Sequence, residues 1–477
     1  MKKIPENTGL HIAKNVFTLY NYKEQLFKIK EKVIVMLKAG FARGEITPPM
    51  GVSVQGYFEP RTAKGILDPL LATAVAFDDG EKRAVVMSVD LIGMNMEFMS
   101  LLRPAVAKAI DAEVDGVFIA CTHTHLGPGV ASTASKIGKF ENPEYGEWLI
   151  TRLADIAFLA VNDLAPVTKR LVARGEVKGV SFIRRYRMKD GSVRTNPGWQ
   201  NPDVDHALGT PDEQSQLLII KREGKPEIGI VNFQVHPDVI GGEFLSADYP
   251  KFVRDTYELN VPDSLCMYIN GAQGDSNHID ISLDPEKECA GGYDRARYMG
   301  KKIAMSVISN YELAKEIAGE EISYTHKIIT TKFNKGTPEE IPAALELAKR
   351  YHELGSEGAL PDVHGMLRTE MIAKATRIER MQTMPENKEL IVCAVAVGDM
   401  VFASFPGEPF TDIGRQVKAN SPFALTIPTC CGNGYEGYYP MQTAFSEGGY
   451  EALTSRYIEG TAEMLIAGSG EIIKSLK

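Results

Sequence analysis

The sequence predicts an α/β fold in which mixed β-sheets are layered with helices. Short β-rich segments alternate with amphipathic helical patterns along most of the 477 residues, and this alternation is typical of such folds. No linker rich in glycine, serine or proline divides the chain, so we expect one domain with insertions. The composition, with 44% hydrophobic and 24% charged residues, is ordinary for a soluble globular protein.

Residues 1–32 place Leu19, Leu26 and Ile29 at roughly helical spacing among lysines, so they are predicted to form a helical extension. The folded domain is expected to span 33–477. Strands are predicted at 33–36, 84–89, 116–120, 217–221, 229–235, 265–269, 389–397 and 400–404. Helices are predicted at 98–112, 147–160 and 250–259.

Segment 337–381 interrupts this alternation. Thr337-Pro-Glu-Glu340 has the character of a helix start, and two amphipathic patterns follow at 343–354 and 366–381. We therefore interpret 337–381 as an inserted helical hairpin within the domain.

Charge and cysteine usage exclude several classes of protein. A formal charge of −9 gives no electrostatic reason to bind nucleic acid. The six cysteines lack C-x-x-C spacing, which indicates neither a thiolate zinc cluster nor a disulfide framework and favours a reducing compartment. Because the chain shows neither a signal-peptide core nor 18 successive uncharged apolar residues, we expect a cytoplasmic protein without a transmembrane segment.

Two histidines follow the predicted strand 116–120, in Cys121-Thr-His-Thr-His-Leu-Gly-Pro-Gly129. In extended backbone His123 and His125 point to the same face. The turn after them would place both at the carboxyl edge of a sheet, where α/β proteins hold ligands. An isolated H-x-H also arises by chance, but this position favours a functional pair.

His236 repeats that arrangement, since it follows the strand pattern 228–235 and precedes Pro237. A single histidine at a strand end is more often a hydrogen-bonded structural residue. The repetition is what makes His236 a candidate.

Two further strand ends carry polar groups. Segment Gly271-Ala-Gln-Gly-Asp-Ser-Asn-His278 differs at one residue from a G-x-S-x-G nucleophile motif, so Ser276 is a weak candidate for a nucleophile. An ordinary turn that contains glycine explains the same residues equally well. Glu408 lies between Pro406-Gly407 and Pro409, where a bend would hold its carboxylate in a set direction. From spacing alone, the tyrosines at 435–439 and 457 cannot be ranked as site residues or packing.

Two histidines from separate strand ends and one carboxylate form a common catalytic zinc set, which leaves room for a water of lowered pKa. The sequence contains no HExxH, Walker A or G-x-G-x-x-G motif. A dispersed metal site is therefore the best physical interpretation.

Taken together, these motifs resemble the catalytic domain of the neutral/alkaline non-lysosomal ceramidase family. The matching segments are Ala39-Gly-Phe-Ala-Arg43, Ile46-Thr-Pro-Pro49, Thr122–Gly129, Asn232-Phe-Gln-Val-His-Pro237, Gly274-Asp275, Pro406-Gly-Glu408, Asn433–Tyr438 and Arg456-Tyr457. They occur in the family's order over most of residues 37–470.

The resemblance implies a zinc-dependent hydrolase that cleaves an amide bond by attack of zinc-bound water. It implies Zn²⁺ as cofactor, with the ligands His123, His236, Glu408 and Tyr438. It further implies that His125 transfers the proton, while Tyr457 and Arg184 lie beside the reacting carbonyl, with Arg185 as the competing arginine. Gly274 is a further candidate for oxyanion stabilisation, and Asp90 and Asp248 are candidates either for hydrogen bonds to ligand histidines or for helix caps.

This sequence also departs from the family pattern. The chain ends too early for the family's C-terminal immunoglobulin-like domain, the family's Gly-Asp-x-Ser-Pro-Asn appears as Gly274-Asp-Ser-Asn-His278, and Ile183 stands before Arg184 where asparagine is expected. We therefore expect the substrate to be a small or soluble N-acyl amide, a related cyclic amide or a lipid-like compound, rather than membrane ceramide. Homo-oligomerisation stays open.

Two other functions are consistent with the sequence. The first is a metal-independent serine hydrolase that uses Ser276 with a nearby histidine. The second is a non-catalytic, zinc-stabilised binding protein, against which the complete set of candidate ligands argues.

Overall fold

The computed structural model describes residues 36–57, 59–130, 142–286 and 289–477. The predicted extension 1–32 and most of the predicted strand 33–36 lie outside these ranges. The predicted α/β class is confirmed, because two main sheets and their covering helices form most of the described chain.

A nine-stranded mixed sheet, the large sheet, forms the centre of the protein. Eight of its strands follow one another in space in the order Ser264–Asn270, Lys225–Phe233, Gln214–Arg222, Ala165–Glu176, Lys38–Glu45, Leu71–Asp78, Arg83–Val89 and Val117–Cys121. The ninth strand, Lys315–Glu316, pairs with Ala165–Glu176 beside this path. Only the two outermost pairs of this path are parallel. The antiparallel middle was not predicted in full, since 38–45, 71–78 and 165–176 were not recognised as strands.

A four-stranded sheet, the small sheet, packs against the large one. Its strands in order are Ile322–Lys332, Asn387–Val397, Met400–Ser404 and Leu425–Thr429. Apolar side chains such as Phe77, Phe118 and Phe402 fill the space between the two sheets. The predicted strands 389–397 and 400–404 both belong to this small sheet.

Helices cover the outer faces, so the layers run helix, sheet, sheet, helix. The helices are Met96–Ile110, Pro143–Asn162, Tyr249–Asn260, Gly292–Ile308, Ile341–Ala359, Gly365–Gln382, Thr411–Ala419, Gln442–Glu447, Tyr450–Thr454 and Thr461–Ser475, with 3₁₀ turns at Val114–Gly116 and Tyr311–Leu313. Helix packing is close at Gly40, where an added Cβ would lie 2.0 Å from the Ala160 carbonyl oxygen. No helix of the described ranges is long and apolar enough to cross a membrane.

Short strands complete the fold near the site. A three-stranded sheet consists of Val193–Thr195, Arg185–Met188 and Val204–Ala207. Four further sheets have two strands of two residues each: Glu408–Pro409 with Tyr438–Tyr439, Ser276–Asn277 with Phe182–Ile183, Phe244–Leu245 with Gly65–Ile66, and Ser53–Val54 with Arg61–Thr62. The predicted hairpin at 337–381 is present as two helices that pack through Ala344, Ala348, Ala375 and Ile378. Its status as an insertion stays a prediction.

The two edge strands of the large sheet approach each other at their carboxyl ends. The Asn270 side-chain amide donates to the Thr122 carbonyl at 3.2 Å, and the Cys430 amide, just beyond the last small-sheet strand, donates to the Asn270 carbonyl at 3.2 Å. Because Lys225–Phe233 pairs in parallel with Ser264–Asn270, and Met400–Ser404 with Leu425–Thr429, five strand ends meet here. The candidate residues His123, His236 and Glu408 follow three of them.

Candidate functional site

His123, His236 and Glu408 form a buried cluster where these strand ends meet. Each follows a strand by a few residues, at Val117–Cys121, Lys225–Phe233 and Met400–Ser404, and each side chain is 1% exposed. His123 has a positive φ of 74°, a conformation that costs a non-glycine residue about 1–3 kcal/mol and is concentrated at functional sites. The cluster therefore holds three polar groups that the protein has placed away from water.

Backbone carbonyls orient both histidine rings. His123 Nδ1 lies 2.6 Å from the Ile92 carbonyl oxygen, and His236 Nδ1 lies 3.3 Å from the Gln273 carbonyl oxygen. Because a carbonyl can only accept, the proton of each neutral ring is on Nδ1. The Nε2 lone pairs are then free, as in metal-bound histidines.

Both Nε2 atoms face one oxygen of Glu408. The Glu408 Oε2 atom lies 3.3 Å from His123 Nε2 and 3.2 Å from His236 Nε2. Neither contact is a hydrogen bond, since Glu408 Oε2 and His236 Nε2 have no hydrogen-bond partner in the described part of the chain. The other oxygen, Oε1, accepts from the Tyr435 hydroxyl at 2.8 Å, which holds the carboxylate in place.

This arrangement meets the requirements of a zinc site. Ligand atoms about 2.1 Å from a zinc ion at the tetrahedral angle lie about 3.4 Å apart, close to the two distances to Glu408 Oε2. Buried polar atoms without partners are costly unless a ligand completes them. Two imidazoles and a carboxylate are also ligand types that zinc prefers.

His125 lies beside the cluster and is a further potential ligand. The ligand nitrogens of His123, His125 and His236 all lie within 4.8 Å of one another. Both ring nitrogens of His125 are buried without a hydrogen-bond partner among the described residues. Geometry alone therefore admits His125 either as a ligand or as a base next to the ligands.

Charge explains the protonation states within the cluster. Burial would raise the pKa of Glu408, but His123 and His236 hold it well below its usual value. Burial lowers the pKa of His236 to about 3, with a smaller contribution from Arg184, and burial together with His123 lowers the pKa of His125 well below its usual value. Burial also acts to lower the pKa of His123, but Glu408 outweighs it and leaves that pKa raised.

Arg184 is the arginine that reaches this cluster. Its guanidinium donates to Glu451 at 2.6 Å, to the Gly274 carbonyl at 2.9 Å and to the Tyr438 hydroxyl at 3.1 Å. Tyr438 is paired in register with Glu408, so Arg184 and Tyr438 together form one wall of the site.

Arg185 is directed away from this wall. It pairs with Glu447 at 2.9 Å and lies over the Phe410 ring. The two neighbouring arginines are separated because successive residues of an extended segment point to opposite faces.

Tyr457 packs away from the histidines, whereas Ser276 shares the Gln273 carbonyl with His236. The Tyr457 ring stacks between Phe333 and Tyr439 in the small-sheet core, and its hydroxyl donates to Glu436 at 3.0 Å. The Ser276 hydroxyl donates to the Gln273 carbonyl at 3.4 Å. The Tyr457 ring is thus part of the small-sheet packing, and the nucleophile role of Ser276 stays a prediction.

Gly274, Asp90 and Asp248 have supporting roles rather than direct ones. The Gly274 amide donates to the Pro409 carbonyl at 2.8 Å, so this amide is already occupied and Gly274 contributes by holding Arg184. Asp90 forms a buried ion pair with Arg254 at 2.7 Å and accepts from Thr122, the residue before His123. Asp248 is the N-cap of the helix Tyr249–Asn260 and accepts the amides of residues 239 and 240.

Two residues at the site, Tyr450 and Asp238, were missed by the sequence analysis. The Tyr450 ring lies 5.7 Å from that of Tyr438. Burial raises the pKa of the Tyr450 hydroxyl, Arg184 acts to lower it and Glu408 acts to raise it. Asp238 Oδ1 lies 3.7 Å from His125 Nδ1 and accepts from Tyr57. The usable signals were the position of Asp238 directly after His-Pro and the Gly448-Gly449 pair directly before Tyr450.

Comparison with known proteins supports the fold. No protein-family model and no curated protein matches the sequence. Among solved structures, neutral ceramidase from Pseudomonas aeruginosa superposes with a TM-score of 0.70 at 17% identity, covering 93% of this chain and 74% of that one. A ceramidase complexed with C2 gives a TM-score of 0.67 at 17% identity, covering 93% of this chain and 75% of that one. The chain thus has the fold of these ceramidases, as its motifs indicated.

Proposed function

We propose that this chain, on its ceramidase fold, is a zinc-dependent hydrolase that cleaves the amide bond of an N-acyl compound. The observation that carries the proposal is the convergence of His123 Nε2 and His236 Nε2 on Glu408 Oε2 without hydrogen bonds. These three residues and Tyr438 would hold the ion. When bound, zinc would supply Lewis-acid polarisation and a water of lowered pKa.

The remaining residues suit an attack on a carbonyl. His125 is neutral at physiological pH because burial keeps its pKa low, so it can accept a proton and later return it to the leaving amine. Arg184 keeps its charge, since Tyr438 and Glu451 raise its pKa although burial opposes them. Its guanidinium would stabilise negative charge on the carbonyl oxygen.

The cysteines support a reducing compartment, and we place the protein in the cytoplasm. All six thiols are free, and five of them are buried. Burial raises the pKa of Cys121 and Cys266 above the ordinary thiol value, so these two behave as small apolar residues rather than as reactive groups.

Metal analysis tests the proposal directly. Protein purified without added metal should contain about one zinc ion per chain, because the buried set of ligands suits zinc. Chelation should abolish hydrolysis of a short N-acyl amide, and added zinc should restore it. Zinc below roughly a tenth of the chain concentration, with activity intact after chelation, would contradict the metal assignment.

A matched pair of tyrosine variants tests which phenol acts at the site. Tyr450→Phe should lower kcat by about 10²-fold, the loss expected when one donor to a developing oxyanion is removed. Tyr457→Phe should keep kcat within about threefold but destabilise the fold by about 1–3 kcal/mol, because buried Glu436 loses a hydrogen bond. Rates at saturating zinc and thermal unfolding of both variants decide it, and the reverse pattern would restore Tyr457 as the site residue.

The substrate is proposed to be a smaller amide than membrane ceramide. A formal charge of −9 disfavours approach to an anionic membrane surface. The segments 183–185 and 274–278, which differ from the family pattern, border the wall that Arg184 and Tyr438 form. We expect kcat/KM for short N-acyl amides to exceed the value for long-chain ceramide in detergent. A preference for ceramide above about tenfold, or about 1.4 kcal/mol, would show this expectation to be wrong.

A further inference from the structure

A second feature of the site is a cavity of about 270 Å³ that lies against the metal cluster. Tyr435, whose hydroxyl donates to Glu408, forms one wall, and Ile92, whose carbonyl holds His123 Nδ1, forms another. The volume is below that of pockets that enclose a whole drug-sized ligand. The cavity is therefore sized for one part of a substrate, and two of its walls touch residues that hold His123 and Glu408.

The cavity combines an apolar surface with a charged end. Phe333, Met381 and Met384 line the apolar part, and methionine side chains adapt readily to the shape of an aliphatic group. Three cations and two carboxylates of the described residues line the remainder, at Arg380, Lys388, Arg456, Glu97 and Glu436. Among these described side chains the cations outnumber the carboxylates by one, a balance that suits a monoanion.

Arg380 is the cation that lacks a protein acceptor. Glu436 is occupied by Lys388 at 2.9 Å and by Arg456 at 3.3 Å. Within the described ranges, the half-buried Arg380 guanidinium makes neither an ion pair nor a side-chain hydrogen bond. Repulsion from Arg456, together with burial, lowers its pKa to about 10, and the opposing attraction to Glu436 does not offset them. A guanidinium held next to a like charge without an acceptor is costly unless an anion completes it.

We propose that Arg380 binds a carboxylate in this cavity and that this carboxylate is part of the substrate. The substrates would then be N-acyl amides that carry an acidic group, such as N-acylated amino acids. The proposal rests on the amide hydrolysis proposed above. The planar guanidinium can hold a carboxylate through two parallel hydrogen bonds. A doubly charged phosphate suits the described lining less well than a carboxylate, because Glu436 repels a dianion more strongly than a monoanion.

Binding to the full-length, zinc-loaded chain tests the proposal without turnover. The probe is the ketone isostere of N-octanoylglycine, in which a methylene replaces the amide nitrogen, and its neutral twin is the carboxamide of the same compound. Calorimetry should show that the wild type prefers the acid by about tenfold or more, as expected for charge-assisted hydrogen bonds. Arg380→Gln should abolish this preference and Arg380→Lys should retain part of it.

Arg350→Gln is the matched control. Arg350 is exposed on the helix Ile341–Ala359 and does not line the cavity, so its variant should bind both twins like the wild type. Arg380→Gln should unfold at the same temperature as the wild type or higher, because the substitution removes repulsion from Arg456. Equal binding of both twins by the wild type, or an unchanged preference in folded Arg380→Gln, would overturn the proposal.

Octanoate distinguishes a carboxylate that is part of the amide substrate from a free carboxylate ligand. It should bind more than about tenfold more weakly than the isostere, since it cannot reach both the cluster and Arg380. Equal affinity would overturn the assignment to the substrate and indicate a site for a free carboxylate. If the acid is preferred through Arg380 but N-octanoylglycine is not hydrolysed, the proposed activity fails and the carboxylate site stands.

Discussion

Replacing His236 by alanine should remove the bound zinc and lower hydrolysis of a short N-acyl amide by at least about 10³-fold, since the metal contributes several kcal/mol to charge stabilisation. The ring is held by the Gln273 carbonyl with its Nε2 atom 3.2 Å from Glu408 Oε2. Without it, Glu408 and His123 cannot complete a tetrahedral set. His123→Ala should have the same effect.

Zinc content after dialysis and kcat/KM are the measurements. His206→Ala is the matched control, because the His206 side chain is exposed and pairs only with its neighbour Asp205 among the described residues. That variant should keep both zinc and activity. A His236→Ala protein that retains stoichiometric zinc would show that the ligand set is different from the one proposed.

His125→Ala should keep the zinc ion and lose turnover by about 10²- to 10⁴-fold, the usual contribution of a proton-transfer group. His125 has two buried nitrogens without hydrogen-bond partners in the described ranges, and Asp238 lies 3.7 Å from one of them. A neutral ring in this position can receive a proton, while the other two histidines and Glu408 already supply three ligands.

Zinc analysis separates the two assignments that the geometry admits. The space left by His125→Ala should also accept free imidazole, so added imidazole should restore part of the activity without changing the zinc content. Loss of zinc from His125→Ala, together with retention of zinc by His123→Ala, would exchange the roles of these two residues.

The supporting structure around the histidines explains why the site stays buried and ordered. The Asp90–Arg254 pair is enclosed, with side chains 0% and 3% exposed, and Asp90 also holds Thr122 next to His123. Removing one partner of such a pair leaves a buried charge and is strongly destabilising. These residues therefore act on the site through the backbone that carries His123.

The sequence by itself determined the features that depend on local patterns. Apolar periodicity predicted the α/β class and the strands that precede His123, His236 and Glu408, because a strand and the turn that ends it are encoded by adjacent residues. The same local signals identified the three polar groups at strand ends. The motifs in their order indicated the ceramidase fold that the structural comparison supports.

Only the tertiary structure decided which of the more distant side chains join the site. Arg184 rather than Arg185 faces the cluster because the Gly274 carbonyl and the Tyr438 hydroxyl, 90 and 254 positions away in the chain, accept from its guanidinium. Tyr450 lies beside Tyr438, whereas Tyr457 packs in the small-sheet core. Such contacts depend on how strands and loops remote in sequence pack together, and neither periodicity nor spacing carries that information. The position of Arg380 was decided in the same way, since its lack of an acceptor among the described residues is a property of the assembled cavity.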